Sequence, residues 1–205
     1  MSLFVIGTDT GVGKTLACAV ILARHRTLRR LVYWKPVATG ALVERDRDAI
    51  AALVPGVETA AEAYLFGEPV SPHLAARQEG GEIEMARISA RWRELRTAFD
   101  GCGFVVEGAG GLLVPLDEHG TLLADLVAAI ALPVLLVARS TLGTINHTLL
   151  TLEAARSAGL HVAGVVITPW PERPSAMEED NRATIGALGH VEVAVLPRMP
   201  RADPA

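Results

Sequence analysis

The chain alternates short apolar runs with longer segments in which apolar residues recur at helical spacing. The short runs are rich in Val, Leu and Ile and have the length of buried strands. These predicted strands cover residues 3–6, 31–34, 104–106, 133–137, 162–167 and 191–196. The predicted helices cover residues 14–26, 85–99, 122–130, 144–158 and 176–188. Strands and helices that alternate in this way form βαβ units, so the sequence predicts an α/β protein with a mostly parallel sheet and helices on both faces.

Composition favours a single domain that spans residues 1–205. Hydrophobic residues make up 50% of the chain and aromatic residues only 4%, which suits aliphatic strands covered by Ala-rich helices. The formal net charge of -4 is spread along the chain without a basic stripe. Nucleic acid and anionic membranes are therefore disfavoured as partners, and small molecules remain.

Other features disfavour further classes of protein. Met1 leads into a predicted strand without a charged flank or a cleavage pattern, and no apolar run is long enough to span a bilayer, so we expect a cytoplasmic protein. Cys18 and Cys102 suggest neither a disulfide framework nor a metal cluster, and we interpret both as structural. The histidines show no ligand spacing, which argues against a zinc enzyme.

Polar and glycine-rich segments follow the first four predicted strands. They occupy residues 7–15, 35–40, 107–111 and 139–146. In a parallel sheet, ligands bind beyond the carboxyl ends of the strands, where these segments would meet. A later segment, residues 168–175, is rich in proline and is predicted to be a turn or an exposed loop.

Residues 7–15 read Gly-Thr-Asp-Thr-Gly-Val-Gly-Lys-Thr, follow a predicted strand and open a predicted helix. This is the context of a phosphate-binding loop, whose glycines let backbone N–H groups approach the phosphates. Lys14 would reach the outer phosphates, and Thr15 would hold Mg²⁺. Thr8 stands where the usual pattern has its first glycine, and Gly7 comes one residue earlier. The sequence therefore predicts a P-loop NTPase-like fold with a loop that departs slightly from the strict spacing.

Charged residues elsewhere add to this prediction. The segment 104–111 reads Phe-Val-Val-Glu-Gly-Ala-Gly-Gly, and its Glu107 could face the metal of a bound nucleotide or lie exposed in a plain turn. Asp46 and Asp48 open another predicted helix, where either carboxylate could simply complement the helix dipole.

Apart from the loop lysine, Lys35 is the only lysine in a chain whose other basic residues are arginines and histidines. Chance is one explanation, and a requirement for a compact ammonium is the other.

Ordered motifs make this chain resemble the dethiobiotin synthetase family. They are the loop at 7–15, Lys-Pro-Val-Ala-Thr-Gly at 35–40, Val-Glu-Gly-Ala-Gly-Gly at 106–111 and Gly-Thr-Ile-Asn-His at 143–147, with Ser-Pro-His at 71–73 as a weaker match. The resemblance implies a Mg²⁺-dependent ligase of biotin biosynthesis. Such an enzyme combines 7,8-diaminononanoate, CO₂ and ATP into dethiobiotin, ADP and phosphate, through a carbamate and a carbamic-phosphoric anhydride. It also implies a homodimer whose active sites lie at the interface.

The resemblance implies roles for individual residues. Lys35 would be the catalytic lysine at the carbamate, and Lys14 would be the loop lysine between the carbamate and the γ-phosphate. The Mg²⁺ ligands would be Thr15, Asp48 and Glu107. Asp48 is preferred to Asp46 because the residues that follow it align better with the family's helix.

The resemblance also implies which residues contact the ligands. The nucleotide contacts would be Gly11, Val12, Gly13, Lys14, Thr15, Leu16, Asp48, Glu107, Gly108, Ala109, Gly110, Thr168, Pro197, Arg198 and Met199. The substrate contacts would be Thr10, Lys35, Thr39, Gly143, Thr144 and Asn146. The free N–H groups of residues 143–146 would hold the substrate carboxylate, and this segment reaches the neighbouring subunit's site. Relatives selective for adenine often carry Asn where this chain has Thr168, so we expect weak base selectivity.

Two related classes are alternatives. A nucleotide-dependent switch or partitioning ATPase shares the first strand and loop, but carries a signature lysine where this chain has Asp9. An amidotransferase-linked ligase of cobalamin synthesis shares the loop but carries a glutaminase domain as well, for which 205 residues leave no room. Both classes therefore fit this sequence less well than a synthetase does.

Overall fold

A computed structural model describes residues 1–199 of the chain. Its strands are β1 (Leu3–Gly7), β2 (Leu31–Trp34), β3 (Val37–Ala38), β4 (Glu58–Ala60), β5 (Tyr64–Leu65), β6 (Gly103–Gly111), β7 (Val134–Ala138), β8 (Val162–Trp170) and β9 (Val193–Pro197). Its helices are α1 (Lys14–His25), α2 (Asp46–Leu53), α3 (Pro72–Gln78), α4 (Met85–Ala98), α5 (Leu123–Ile130), α6 (Thr144–Ser157) and α7 (Ala176–Gly189). None of these helices is both long and apolar enough to cross a membrane.

The main sheet has seven strands in the order β4-β2-β6-β1-β7-β8-β9, and its strand pairs are parallel. β1 lies at the centre, between β6 and β7. β3 and β5 form a separate parallel pair. Because the strands of the main sheet run in one direction, the segments that follow β1, β2 and β6 meet at the same edge.

Alternate residues of the strands pack on opposite faces of the sheet. On β2, Tyr33 packs with residues of α1 and α2, whereas Trp34 packs in the larger core with residues of α4 to α7. The neighbouring β6 follows the same alternation, with Val105 beside Tyr33 and Val106 beside Trp34. Glu107 is two residues beyond Val105, so its side chain lies on the α1 face. The strand register therefore brings a carboxylate beneath the start of α1.

The predicted strands and helices are confirmed, with ends that differ by a few residues. The largest difference is in β6, which continues through residues 107–111, the segment predicted to follow the strand. The helix predicted to begin with the two aspartates is α2. One prediction is wrong in part: β8 continues to Trp170, which pairs with Pro197 of β9, so the turn predicted from residue 168 begins only after Trp170. The sequence did not predict β3, β4, β5 or α3, because such short elements show no clear periodicity.

Candidate active site

A cavity of about 580 Å³ lies at the sheet edge where β1, β2 and β6 end. The predicted contact residues that line it are Thr10, Gly11, Gly13, Lys14, Thr15, Lys35, Thr39, Glu107, Ala109 and Gly110. Gly40, Asp46, Val114 and residues 43–44 and 69–72 complete the lining. The sequence analysis assigned no role to residues 43–44 or 69–72 beyond the weak motif at 71–73. The segments that follow β1 and β2 and the last residues of β6 therefore converge on one concave site, as expected at the carboxyl ends of a parallel sheet.

The loop between β1 and α1 has the backbone of a phosphate-binding loop. Gly11 and Gly13 have φ angles of 71° and 99°, which lie in the left-handed region that favours glycine. A Cβ atom at Gly7 would lie 2.8 Å from the carbonyl oxygen of Asp9, so glycine is required at the end of β1 as well. A Cβ atom at Gly13 would lie 2.8 Å from Cγ2 of Thr168. The loop therefore runs close against the end of β8.

Lys14 is buried beside this loop, and its Nζ donates a hydrogen bond to the Asp9 carbonyl oxygen at 3.0 Å. Burial lowers the pKa of Lys14; the Glu107 carboxylate partly offsets this effect, and the Lys35 ammonium adds to it. An anion placed in the cavity would relieve both the burial penalty and the repulsion between the two ammonium groups. The position suits the recognition of a phosphate.

Lys35, Asp46, Glu107 and Thr15 form a charged cluster at the cavity wall. Nζ of Lys35 lies 2.5 Å from Oδ2 of Asp46 and 3.2 Å from Oε1 of Glu107. The Thr15 hydroxyl lies 3.0 Å from Oδ1 of Asp46 and 3.0 Å from Oε1 of Glu107. Burial would lower the pKa of Lys35, but Glu107 and Asp46 outweigh it and raise the pKa above its ordinary value. Lys35 is therefore a charged ammonium at neutral pH.

The structure places Asp46 beside this cluster, and not Asp48, the aspartate that the sequence favoured. Asp46 lines the cavity and contacts both Thr15 and Lys35, whereas Asp48 is exposed and does not line the cavity. Residues two apart on a helix do not share a face, so only one of the two carboxylates can point at the loop. Asp46, at the first position of α2, is that carboxylate.

The second oxygen of Glu107 has a partner that sequence analysis missed. Tyr33 donates a hydrogen bond from its hydroxyl to Oε2 of Glu107 at 2.9 Å. Burial and the Glu107 carboxylate raise the pKa of Tyr33 well above its ordinary value, so the phenol keeps its proton. The signal was a tyrosine within a predicted buried strand, because a buried hydroxyl needs a hydrogen-bond partner.

Cys18 is buried close to the same carboxylate. Burial, together with the nearby Glu107, raises the pKa of the Cys18 thiol well above its ordinary value. A thiol in this state is a poor nucleophile. Cys102 is also free, so the two cysteines form no disulfide with each other.

Other predicted nucleotide contacts lie outside the cavity lining. Val12 is a buried loop residue, Leu16 belongs to α1 and Gly108 to β6. Thr168 is buried against the loop, and its hydroxyl has no hydrogen-bond partner among the described residues. Pro197, Arg198 and Met199 follow one another at the end of β9, where the Arg198 N–H donates to the Trp170 carbonyl at 3.0 Å. This segment therefore lies beside the end of β8.

The predicted substrate contacts Gly143, Thr144 and Asn146 lie at the start of α6 and do not line the cavity. Gly143 is the N-cap residue, with φ at 90°. An ion pair connects the segment before α6 to the phosphate-binding loop, because Nη2 of Arg139 lies 2.5 Å from Oδ2 of Asp9. Within one chain, the start of α6 is thus separate from the Lys35 cluster.

The cluster fits a magnesium ion that is shared with phosphate oxygens. Thr15, Asp46 and Glu107 supply a hydroxyl and two carboxylates, and hard oxygen donors are the ligands that Mg²⁺ prefers. Within residues 1–199, no group of three or more His, Cys, Asp or Glu side chains could hold a metal alone. Mg²⁺ in nucleotide sites is commonly bound through one or two carboxylates and substrate phosphates, which matches this donor set.

The parallel sheet and the loop before α1 define the class of P-loop nucleotide-binding proteins. Among solved structures, chloroplast FtsY from Physcomitrella patens is similar with a TM-score of 0.60 and 15% identity, over 97% of this chain and 59% of that one. A ParA family ATPase from Chlorobium tepidum TLS has a TM-score of 0.57 and 10% identity, over 97% of this chain and 85% of that one. At such low identity these likenesses show the fold alone.

Sequence relatives identify the family. A family profile described as an AAA domain matches residues 1–205. The ATP-dependent dethiobiotin synthetase BioD of Anaeromyxobacter dehalogenans (strain 2CP-C) is 45% identical, over 97% of this chain and 90% of the relative. The protein of the same name from Brucella abortus (strain S19) is 42% identical, over 98% of this chain and 86% of the relative. The chain belongs to the ATP-dependent dethiobiotin synthetase family.

Proposed function

We propose that the chain joins 7,8-diaminononanoate and CO₂ into dethiobiotin at the expense of ATP, which is converted to ADP and phosphate. Family membership supports this reaction, and the observation that carries it is the buried Lys35 ammonium beside the phosphate-binding loop. One amine of the substrate adds to CO₂ and loses a proton to form a carbamate. A carbamate oxygen then attacks the γ-phosphorus and ADP leaves. The second amine attacks the carbamate carbon, loses a proton and expels phosphate to close the ring.

Lys35 and Lys14 would neutralise the anions of this reaction. Lys14 extends along the phosphate-binding loop, which suits contact with the γ-phosphate, and Lys35 lies beside the same cavity, which suits contact with the carbamate. Phosphoryl transfer depends chiefly on positioning and on the neutralisation of charge. Two buried ammonium groups beside one cavity can supply both. Thr39 also lines the cavity, where its hydroxyl would contact the substrate.

Magnesium would be held by Thr15, Asp46 and Glu107, together with phosphate oxygens. When bound, Mg²⁺ supplies positive charge to the phosphate oxygens of the nucleotide. The Lys35 ammonium now pairs with the same two carboxylates, so Lys35 can move towards the carbamate only if another cation balances them. Lys35 and the metal site would therefore act together.

The substrate carboxylate would bind at the start of α6 in the second subunit of a homodimer. Free N–H groups at a helix N-terminus attract anions, and Gly143 leaves room for close approach. Leu142, Leu113 and Leu150 are exposed by 84%, 58% and 61%. Leu113 and Leu150 border a cleft that also reaches the loop residue Thr10. Exposed leucines next to the phosphate-binding loop suit an interface that brings the partner's α6 to this site.

The proposal is tested by incubating the protein with 7,8-diaminononanoate, bicarbonate, Mg²⁺ and ATP, and detecting dethiobiotin by mass. We expect dethiobiotin and ADP in equal amounts, and neither product when Mg²⁺ is chelated. ADP without dethiobiotin would instead support a switch-type ATPase. The cytoplasmic location expected from the sequence stays a prediction, which fractionation of cells would test.

A further inference from the structure

Tyr33 contacts Glu107 of the candidate site but does not itself line the cavity. Its side chain is fully buried on β2, and its hydroxyl donates to Oε2 of Glu107. Glu107 is itself only 1% exposed. Its other oxygen, Oε1, faces Thr15 and Lys35. The two oxygens of this carboxylate therefore have separate partners, one within the β2–β6–α1 core and one at the cavity.

This division follows from the register of β2 and β6. Tyr33 lies opposite Val105, and Glu107 is two residues further along β6 on the same face. The long tyrosine side chain spans this offset and reaches the carboxylate from the side away from the cavity. A carboxylate that is held at one oxygen cannot rotate freely, so the orientation of its other oxygen is determined as well.

We propose that Tyr33 is a positioning residue that holds Glu107 with Oε1 directed at Thr15 and the metal–phosphate position. The inference rests on the proposed function of Glu107 as a magnesium ligand. Tyr33 would touch neither nucleotide nor substrate and would act only through Glu107. The competing explanation is that Tyr33 merely fills the core between β2 and α1, which phenylalanine would do almost as well.

The substitution Tyr33→Phe separates these explanations, because it removes the hydroxyl and keeps the ring. The measurement is the affinity of Mn²⁺ for the complex of protein and ATP. Electron paramagnetic resonance detects the bound Mn²⁺, and diaminononanoate is left out of the sample. We expect Mn²⁺ affinity to fall by about tenfold, as is typical when the partner of a ligating carboxylate is lost. ATP affinity without metal should stay unchanged. Mn²⁺ affinity equal to that of the wild type, or tighter, would overturn the proposal.

The chain offers a matched control in Tyr64, its other tyrosine. The Tyr64 hydroxyl also has a partner, since it accepts a hydrogen bond from the backbone N–H of Glu84 at 2.9 Å, but it does not line the cavity. Tyr64→Phe therefore removes one hydroxyl and one hydrogen bond without touching Glu107. We expect its Mn²⁺ affinity to match the wild type. An equal loss in both variants would mean that a general loss of stability explains the effect.

Double substitution tests whether Tyr33 acts through Glu107. In a Glu107→Gln background, Tyr33→Phe should weaken Mn²⁺ binding no further, because the group that it positions has already lost its charge. A second loss as large as that seen in the wild-type background would show that Tyr33 acts by another route and would contradict the proposal.

A measurement on the unmodified protein keeps the proposal testable even if Tyr33→Phe does not fold. With tyrosine labelled by ¹³C at Cζ, the two tyrosines give two signals, and Tyr64→Phe assigns them. Adding Mg²⁺ to the ATP complex should shift the Tyr33 signal and leave the Tyr64 signal in place. An unshifted Tyr33 signal would contradict the inference. If the variants and the labelled protein behave as expected but the wild-type protein forms no dethiobiotin, the proposed reaction is contradicted and the role of Tyr33 is not.

Discussion

The ammonium of Lys35 lies between two carboxylates, and its compact shape suits that position. Arginine at residue 35 would bring a longer, planar guanidinium that cannot occupy the same space. We predict that Lys35→Arg lowers kcat by about a hundredfold or more, the scale of losing one preorganised charge contact, while the protein stays folded. Steady-state dethiobiotin formation and circular dichroism measure the two effects.

Arg91→Lys is a suitable control for this substitution. Arg91 pairs with Glu94 at 3.1 Å on the exposed side of α4, where exchange between the two cations should change little. Near wild-type turnover by the Lys35→Arg variant would contradict the role proposed for Lys35.

Asp46 and Asp48 provide a second test at the residue scale, because they lie two positions apart on α2 and only Asp46 contacts the cluster. We predict that Asp46→Asn raises the Mg²⁺ concentration needed for half-maximal rate by about tenfold or more, since it removes a charged ligand. Asp48→Asn should leave that concentration unchanged. Glu107→Gln should resemble Asp46→Asn. The rate of each variant is measured as a function of Mg²⁺ concentration. A defect confined to Asp48→Asn would favour Asp48 as the magnesium ligand, as the resemblance to the family implies.

The end of β8 bears on recognition of the base. Thr168 offers a single hydroxyl, and Pro169 offers no N–H, so this position has fewer hydrogen-bonding groups than an asparagine would have. We predict that CTP, GTP and UTP support the reaction within about tenfold of ATP, a difference of about 1.4 kcal/mol. Dethiobiotin formation is compared with each nucleotide at equal concentration. A preference for ATP of about a hundredfold would show that another group reads adenine.

At the scale of elements, the phosphate-binding loop depends on its contact with β8. Gly13 and Gly120 both have positive φ angles, 99° and 94°, but only Gly13 has a neighbour within reach of an added Cβ. We predict that Gly120→Ala costs about 1–2 kcal/mol in the free energy of unfolding, from backbone strain alone. Gly13→Ala should cost about 1–3 kcal/mol more, because its methyl group collides with Thr168.

Nucleotide binding separates these two glycine variants further. Gly13→Ala should displace the phosphate-binding loop and so weaken ATP binding by about tenfold or more. A tenfold loss corresponds to about 1.4 kcal/mol of binding free energy. Gly120→Ala should bind ATP normally. Urea unfolding and ATP titration test both expectations, and equal behaviour of the two variants would mean that the contact with Thr168 is unimportant.

The elements also show where sequence patterns are sufficient. The apolar runs of β1, β2 and β7 are buried and of ordinary strand length, so their pattern alone predicted them. Short elements such as β3 and α3 were missed, because packing rather than periodicity holds them in place. β8 was predicted too short because proline normally signals the end of a strand.

At the scale of the whole molecule, the start of α6 does not line the cavity of its own chain, so the proposed substrate contacts would have to come from a second subunit. We predict a homodimer in sedimentation experiments. Leu142→Asp and Leu150→Asp should each weaken the dimer and lower activity together, because each would place a charge in the proposed apolar interface. Leu28→Asp is the control, since Leu28 is another exposed leucine, in the turn that follows α1. A fully active monomer at assay concentration would contradict the shared site.

The sequence by itself determined the class of fold, the phosphate-binding loop and the two lysines, because strand periodicity and glycine spacing are local properties. Tertiary structure alone decided which aspartate joins the cluster, since α2 can present Asp46 or Asp48 to the loop and only its packing selects between them. It also decided that Tyr33 meets Glu107. That contact joins residues 74 positions apart and depends on the register between β2 and β6, which the order of residues along either strand does not reveal.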